Sequence, residues 1–308
     1  MSLMFTLICV LISVAFFTLL ERKTLSYLQW RKGPNKVSTA GLPQPIADAV
    51  KLFIKQMSYT TKANQKPYYL APTITIIVAI LLWQTMPYSS SSMFLSWGIL
   101  LLICLSALNV YGTLLAGWSS NSKFALIGAL RGVTQTISYE VTLALILLSA
   151  LLFSRNFMVN SIPEALQSTW LVFLAPPTFL LWFTSCLAET NRAPFDFSEG
   201  ESELVSGFNI EYGSATFAMI FLAEYANIIF MSMLTAIIFT GDSNLFLISS
   251  PMILIIKSVS FCFIFVWVRG SLPRLRYDRL MHLAWKSFLP FILSALTVMF
   301  MIQTTLFT

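Results

Sequence analysis

The sequence has little charge. Charged residues make up only 10% of its 308 residues, whereas hydrophobic residues make up 57%, and the mean hydropathy is +0.77. A soluble globular domain carries roughly 25% charged residues. This imbalance argues against a water-soluble protein and predicts an integral membrane protein.

Residues that commonly bind metals are also scarce. The four cysteines, Cys9, Cys104, Cys186 and Cys262, are isolated within apolar runs, with no C-x-x-C spacing that would hold zinc or an iron–sulfur cluster. We interpret them as small packing residues. His282 is the sole histidine, so the sequence predicts no metal site.

Nucleotide-binding and hydrolase motifs are missing. The sequence contains no G-x-G-x-x-G after a strand, no Walker A pattern, no C-x-x-C-H and no G-x-S-x-G. Any nucleotide, flavin or metal chemistry is therefore expected on another chain, and this chain is expected to bind none of these groups.

Long apolar runs are abundant. A helix that crosses about 30 Å of hydrocarbon needs roughly 20 apolar residues, and eight such runs recur along the chain. The predicted fold class is an all-α integral membrane protein with eight transmembrane helices. The predicted spans are Leu3–Leu20, Tyr68–Met86, Phe94–Trp118, Ile137–Phe153, Trp170–Ala188, Ser214–Thr240, Phe246–Val268 and Ser287–Leu306.

The basic residues are distributed asymmetrically. With eight spans, 17 of the 19 Lys and Arg residues fall in connections on one side. Arg155 falls in an opposite connection and Lys257 within the seventh span. Because basic residues concentrate in cytoplasmic-type loops, this side is predicted to face the cytoplasm or its equivalent, and both termini the other side.

Residues 21–67 are predicted to form a basic segment with an amphipathic helix on that side. After Pro45, apolar residues from Ile46 to Met57 share a face of about 100°, opposite Lys51 and Lys55. The helix is too short to span the membrane and should lie in the interface. Asp48 lies on the polar face of this helix. A structural ion pair and a functional role are about equally favoured interpretations of Asp48.

An acidic loop is predicted at residues 189–213. Arg192 is the only base among its acids, and like-charge proximity should raise the pKa of some of them. Phe195 and Phe197 interleave with the acids, as a partly buried loop requires. An inert solvated loop is the alternative. The loop contains six of the 13 acidic residues of the chain: Glu189, Asp196, Glu199, Glu201, Glu203 and Glu211.

Three ionisable residues are predicted within the spans: Glu140, Glu224 and Lys257. Such residues are costly in lipid and commonly functional. Glu224 follows Ser214 by ten residues, which places it about 15 Å deep. Polar pairing between helices is the alternative interpretation of each residue.

The depths of the other two residues depend on where their helices begin. The helix that contains Glu140 is expected to begin either at Ile137 or a few turns earlier, near Phe124. Lys257 is central only if its helix continues through the break that Pro251 favours.

Five sequence blocks resemble a known family, the quinone-site membrane subunit of NADH:quinone oxidoreductase (complex I), which occurs in mitochondria and in bacteria. The resemblance covers most of the chain and is closest to the mitochondrial type, called subunit 1. The blocks are LERKTLSYLQWRKGPNKV from Leu20, QPIADAVKLFIK from Gln44, GWSSNSKFALIGALRGVTQTISYEVTLALILLS from Gly117, LAETNRAPFDFSEGESELVSGFNIEYGSATFAMIFLAEY from Leu187 and VRGSLPRLRYDRLMHLAWKSFLP from Val268.

The resemblance implies a single membrane domain, residues 1–308, that forms part of a ubiquinone chamber and couples quinone reduction to proton translocation. Ubiquinone would be the substrate. The partners would be peripheral-arm quinone-site subunits, antiporter-like membrane subunits and membrane lipids, with no nucleic acid. The location would be the mitochondrial inner membrane, with the basic side facing the matrix.

The resemblance also implies three groups of site residues. Quinone-binding residues would be Arg22, Asp48, Phe221 and Arg269. The loop acids would form a charged funnel of Glu189, Asp196, Glu199, Glu201 and Glu203. The intramembrane proton relay would be Glu140 and Glu224.

Two other function classes remain open from the residues themselves. A secondary ion or proton transporter would also place ionisable residues within its spans. Such folds show repeated halves with interrupted helices, yet the halves differ here and the Pro176-Pro177 break has no counterpart. A structural anchor would need only the basic loops and would leave Glu224 unexplained.

Overall fold

The structure, a computed structural model, describes residues 2–57, 60–86, 95–165, 170–241, 244–245, 248–249 and 251–307. This part of the chain is almost entirely helical, in agreement with the predicted class. The helices are α1 (Ser2–Leu28), α2 (Gln44–Ile54), α3 (Gln65–Trp83), α4 (Gly98–Ser119), α5 (Lys123–Ser154), α6 (Ser161–Ala165), α7 (Leu171–Leu174), α8 (Pro176–Glu189), α9 (Glu201–Leu204), α10 (Ser214–Thr240), α11 (Pro251–Ser271), α12 (Tyr277–His282) and α13 (Leu289–Phe307).

Seven helical stretches in the described residues are long and apolar enough to cross a membrane. The fifth predicted span is not one of them, because Ala175 leaves the helical conformation (φ −141°, ψ 66°) and separates α7 from α8. Pro176 and Pro177 follow at the first positions of α8, where the missing N–H of proline is tolerated. Helix length alone therefore does not confirm the eight-span count.

Several helix boundaries differ from the predicted spans. α5 begins at Lys123, the earlier of the two expected starts, and α10 begins at Ser214 as predicted. α11 begins at Pro251, so Lys257 lies only about 9 Å along it, and the condition for a central position of Lys257 is not met. The predicted span limits Phe94 and Phe246 lie outside the described residues.

Lys257 closes the end of α10. Its ammonium donates to the carbonyls of Thr240, at 2.7 Å, and Gly241, at 3.1 Å, and lies 5.1 Å from the ring centre of Trp170. The last carbonyls of a helix lack partners within it and carry partial negative charge. A buried lysine is stabilised there. The short strands β1 (Asn244–Leu245) and β2 (Ile248–Ser249) pair antiparallel between α10 and α11.

Helices α5 and α10 are the centre of the bundle. α5 packs against α4, α8 and α13, and α10 packs against α3 and α11. Trp182 of α8, Tyr139 of α5 and Phe239 of α10 are fully buried, and the Trp182 ring lies 5.8 Å from that of Phe239. Gly112 allows α3 and α4 to approach closely, since a Cβ there would come within 2.3 Å of the Thr75 methyl group.

The C-terminal helix is continuous from Tyr277 through Thr305 but not uniform. A π-helical turn, Leu283–Phe288, joins α12 to α13. Leu280, Ala284 and Ile292, which lie before, within and after this turn, are all buried.

A helix forms where the amphipathic segment was predicted. α2 packs against α1 and α10, while its apolar residues Ile46, Val50, Phe53 and Ile54 are exposed. Such a row of exposed apolar side chains is available to contact lipid or another protein.

Candidate functional site

A buried ionic cluster lies where α1, α10, α11 and the acidic loop meet. The Glu21 carboxylate accepts hydrogen bonds from Arg269, from Arg192 at 3.2 Å, and from the Tyr225 hydroxyl at 2.6 Å. Glu21 is only 5% exposed, and the Arg192 guanidinium also lies 4.5 Å from the ring centre of Tyr225. Such a carboxylate is retained in the charged state because two cations and a hydroxyl replace its water.

The sequence patterns did not single out Glu21, Arg192 or Tyr225 as site residues. Burial alone would lower the pKa of Arg192, but the neighbouring Glu21 carboxylate raises it, and the net pKa is raised. Arg192 therefore remains charged. A signal was present in the sequence: Glu21 directly follows an apolar run, and Arg192 is the only base among the loop acids.

The four predicted quinone-binding residues form two groups. Arg22 and Asp48 pair with each other at 2.6 Å at an exposed position, where Gln44 also donates to Asp48 at 3.0 Å. An exposed pair of this kind adds little stability. Arg269 binds Glu21 instead, and the Phe221 ring lies 6.2 Å from that of Tyr225, so both adjoin the buried cluster.

The acidic loop is folded against the bundle. Gln135 of α5 donates to the Phe195 carbonyl of the loop and to the Ala188 carbonyl directly before it, both at 2.9 Å. The loop is tight at Gly207, which has φ +60° and lies where a Cβ would come within 1.7 Å of the Ser198 carbonyl oxygen. Only glycine fits that approach. The expected burial of the loop is found, so the loop is not simply solvated.

Burial affects two neighbouring loop acids. Burial raises the pKa of Asp196, although the Arg274 guanidinium counteracts this effect. Burial, together with the Asp196 carboxylate, raises the pKa of Glu199 to about 7, against the lowering effect of Arg192. The Asn209 amide donates to Glu199 at 2.8 Å. Glu199 can therefore exchange a proton near neutral pH.

Glu203 differs from this pair. Glu203 is half-exposed and hydrogen-bonded to Arg131, which lowers its pKa. Glu203 is therefore a surface ion-pair residue. The side chain of Glu201 lies outside the part of the chain that the structure describes.

Two small cavities adjoin the buried acids. The first, about 30 Å³, is lined by Glu189, Glu224, Asn109 and Asn227, among others. The second, about 20 Å³, shares Glu189, Asn109 and Asn227 with the first and extends to Ser106. Each can hold about one water molecule, and polar walls favour its presence.

The buried acids form two groups of electrostatic neighbours. Glu224 interacts with Glu199 and Asp196, and Glu189 interacts with Glu140. One Glu189 carboxylate oxygen is buried without a hydrogen-bond partner among the described residues. A water in either cavity would satisfy it.

Comparison with known proteins decides the family. The family model described as NADH dehydrogenase matches residues 1–300. The chain belongs to this family. As a member, it is a membrane-embedded subunit of the respiratory NADH-ubiquinone oxidoreductase, complex I, and the family inferred from the sequence blocks is confirmed.

Complex I relatives match nearly the whole chain. Each of the following relatives is called NADH-ubiquinone oxidoreductase chain 1. The relative from Aedes aegypti is 53% identical to this chain over 289 residues, covering 94% of this chain and 91% of the relative. The relative from Zaedyus pichiy is 51% identical over 296 residues, covering 96% and 93%. That from Tetraodon nigroviridis is 52% identical over 287 residues, covering 92% and 89%.

Within this complex I subunit, the acids and bases converge at one end of the bundle. No group of three or more His, Cys, Asp or Glu residues in the described ranges is arranged to hold a metal ion. The converging groups suit proton exchange and the binding of a polar headgroup beside an apolar path. The roles of the individual site residues stay predictions.

Proposed function

We propose that this subunit forms the membrane part of the ubiquinone chamber of complex I and passes protons in response to quinone reduction. The observation that carries the proposal is the convergence of Glu21, Arg192, Arg269, Asp196 and Glu199 at one end of an otherwise apolar bundle. Ubiquinone has a polar headgroup on an apolar tail, so it needs this combination of surroundings.

The headgroup would approach the Glu21 cluster. Arg269 and Phe221 adjoin the cluster, and these residues would line the inner part of the path. The exposed Arg22–Asp48 pair on α1 and α2 would mark its entry, where the exposed apolar face of α2 would rest in the membrane surface. Peripheral-arm subunits would complete the chamber from the matrix side.

Protons would move through the acidic loop into the bundle. Asp196 and Glu199 would exchange them first and pass them to Glu224, and Glu189, which lines a cavity together with Glu224, would connect Glu224 to Glu140. This order is supported by the electrostatic neighbours of each residue and by the two cavities that Glu189 lines. Antiporter-like subunits would receive the protons. Glu201 and Glu203 would complete the rim of the funnel.

Eight crossings fit this function better than seven. Beyond the C-terminal end of α5, the Phe157 carbonyl accepts a hydrogen bond from the Ile99 N–H. Gln135, which lies about 28 Å closer to the N-terminal end of α5, binds the carbonyls of Ala188 and Phe195. The intervening chain, α7 and α8, therefore runs from one end of the bundle to the other. Together they would form the fifth crossing and place the acidic loop on the matrix side of the mitochondrial inner membrane.

Photo-crosslinking with a quinone-like inhibitor in the intact complex tests the chamber. We expect labelled peptides from residues 20–28 of α1 and residues 214–225 of α10. Labelling confined to residues 60–86 or 154–165 would contradict the proposal. Arg269→Gln should strongly reduce quinone reductase activity, whereas Arg276→Gln, at a side chain 82% exposed, should leave it near normal.

A separate measurement tests the relay. Glu224→Gln keeps the shape of the side chain but cannot ionise, so we expect an assembled complex that translocates fewer protons per quinone reduced. Glu164→Gln, an exposed acid on α6, is the matched control. Unchanged proton stoichiometry in Glu224→Gln would leave Glu224 as a packing residue without affecting the chamber proposal.

A further inference from the structure

A groove of about 370 Å³ lies between the end of α5 and α13. Leu148, Leu152 and Leu296 form its apolar wall, and Arg155 and Gln303 lie at its polar rim. Leu148 is 42% exposed and Arg155 is exposed, so the groove opens onto the outer surface of the bundle. Its volume falls within the roughly 300–1,000 Å³ of typical ligand sites.

The groove lies far from the candidate quinone site. Arg155 follows Gln135 on α5 by about 30 Å along the helix axis, and Gln135 binds the acidic loop. The Gln303 amide donates to the Leu152 carbonyl and joins α13 to α5 at this end. The groove therefore lies at the end of the bundle opposite the acidic loop.

Arg155 occupies an unusual position for an arginine. It ends α5 in the left-handed conformation, φ 55°, with its N–H bonded to the Leu151 carbonyl at 2.8 Å. Glycine or asparagine ordinarily takes this place because other residues are strained there. It is also the one base that the sequence places in a connection on this side, where basic residues are disfavoured. Both features point to a use for its side chain.

We propose that this groove binds an anionic phospholipid. The headgroup phosphate binds the planar guanidinium of Arg155, which matches phosphate geometry, and an acyl chain lies along the three leucines. A groove on a surface that faces hydrocarbon fills with acyl chain, and the charged rim at one end sets the preference for an anionic headgroup. The direction from Arg155 to the leucines runs along α5 into the membrane, as a lipid requires.

The test uses the intact complex in phosphatidylcholine nanodiscs with lipid probes that carry a photoreactive acyl chain. A phosphatidylglycerol probe should label peptides from residues 148–157 and 296–303 roughly fivefold more than a phosphatidylcholine probe, the factor expected for one basic residue at a membrane surface. Arg155→Gln should abolish this preference but keep the acyl-chain labelling. Arg155→Lys, which keeps the charge, should retain part of it.

A matched pair on α13 tests the acyl-chain path. Leu296→Trp fills the groove and should reduce labelling by both probes, whereas Leu293→Trp, at an exposed position outside the groove, should leave labelling unchanged. Equal labelling by the two probes in the unmodified complex would overturn the proposal. Crosslinks from the groove to another protein chain in place of lipid would overturn it as well.

Discussion

Glu21 is a single carboxylate shared by two arginines and a tyrosine from three other parts of the chain. Its partners lie 171, 204 and 248 residues away in sequence. Removing one member of such a buried group leaves the others charged and poorly solvated. The cluster therefore joins α1, the acidic loop, α10 and α11 through one side chain.

Glu21→Gln should destabilise this region by about 3 kcal/mol, the lower end of the range for a broken buried ion pair, because Arg269 is partly exposed. We expect a lower midpoint of thermal unfolding of the intact complex. Asp48→Asn removes the exposed partner of Arg22 and should cost about 0–1 kcal/mol. Equal shifts for the two variants would contradict the buried role of Glu21.

Glu199 and Glu203 are four residues apart but lie in opposite environments. Because the pKa of Glu199 is raised to about 7, its carboxyl should be protonated at pH 6 and ionised at pH 8. The infrared band of a protonated carboxyl should therefore fall as pH rises through about 7. Glu199→Gln should remove the part of this change centred near pH 7, while Glu189, whose pKa burial raises to about 8, should retain a part at higher pH.

Glu203→Gln is the control for that measurement. Its lowered pKa keeps Glu203 ionised throughout this range, so the variant should leave the band unchanged. The raised pKa of Glu199 also affects folding stability. A raised carboxyl pKa favours the folded state at low pH, and this stabilisation is lost as pH rises from the ordinary pKa of Glu, about 4.5, through about 7. A change near pH 7 that persists in Glu199→Gln would assign the proton to another group.

The acidic loop behaves as one element because its turns are fixed by close backbone contacts. Gly207→Ala should displace the loop, since the added Cβ collides with the Ser198 carbonyl. We expect faster amide hydrogen exchange across residues 189–213. Gly241→Ala is the control: this glycine also has positive φ, +70°, but a Cβ there meets no atom within 4 Å. Exchange in the loop should be unchanged in Gly241→Ala, and a similar loss of protection in both variants would show that the collision is unimportant.

At the scale of the whole molecule, the proposed eight-crossing topology predicts which loops share a side. In mitochondria, cysteines placed at Arg31, Arg274 and the exposed loop residue Val205 should react with an impermeant reagent only from the matrix side. A cysteine at Asn156 should react only from the opposite side. Labelling of the Val205 and Asn156 positions from the same side would show that α7 and α8 do not cross the membrane together.

The sequence predicted the parts of this architecture that depend on local composition. Apolar runs identify spans wherever the run is uninterrupted. The cluster of acids identified the acidic loop, and the aromatic residues between them indicated that it is partly buried. The break at Ala175 was not predicted as two helices, because a proline at the first turn and one in the interior look alike in a hydropathy profile. The Glu21 cluster could not be predicted, since its contacts join residues that are distant in sequence.

The π-helical turn at Leu283–Phe288 determines how the last helix tolerates changes in length. From Ala284 to Ile292, eight residues of uniform α-helix would rotate by about 800°, which leaves Ile292 about 80° away from the buried face. The wider turn absorbs one residue, so the rotation is about 700° and both residues face inward. Deleting one residue of this turn, such as Ser287, would therefore restore a regular helix without exchanging its lipid-facing and buried sides. The same deletion after Leu289 would rotate every later residue by about 100°.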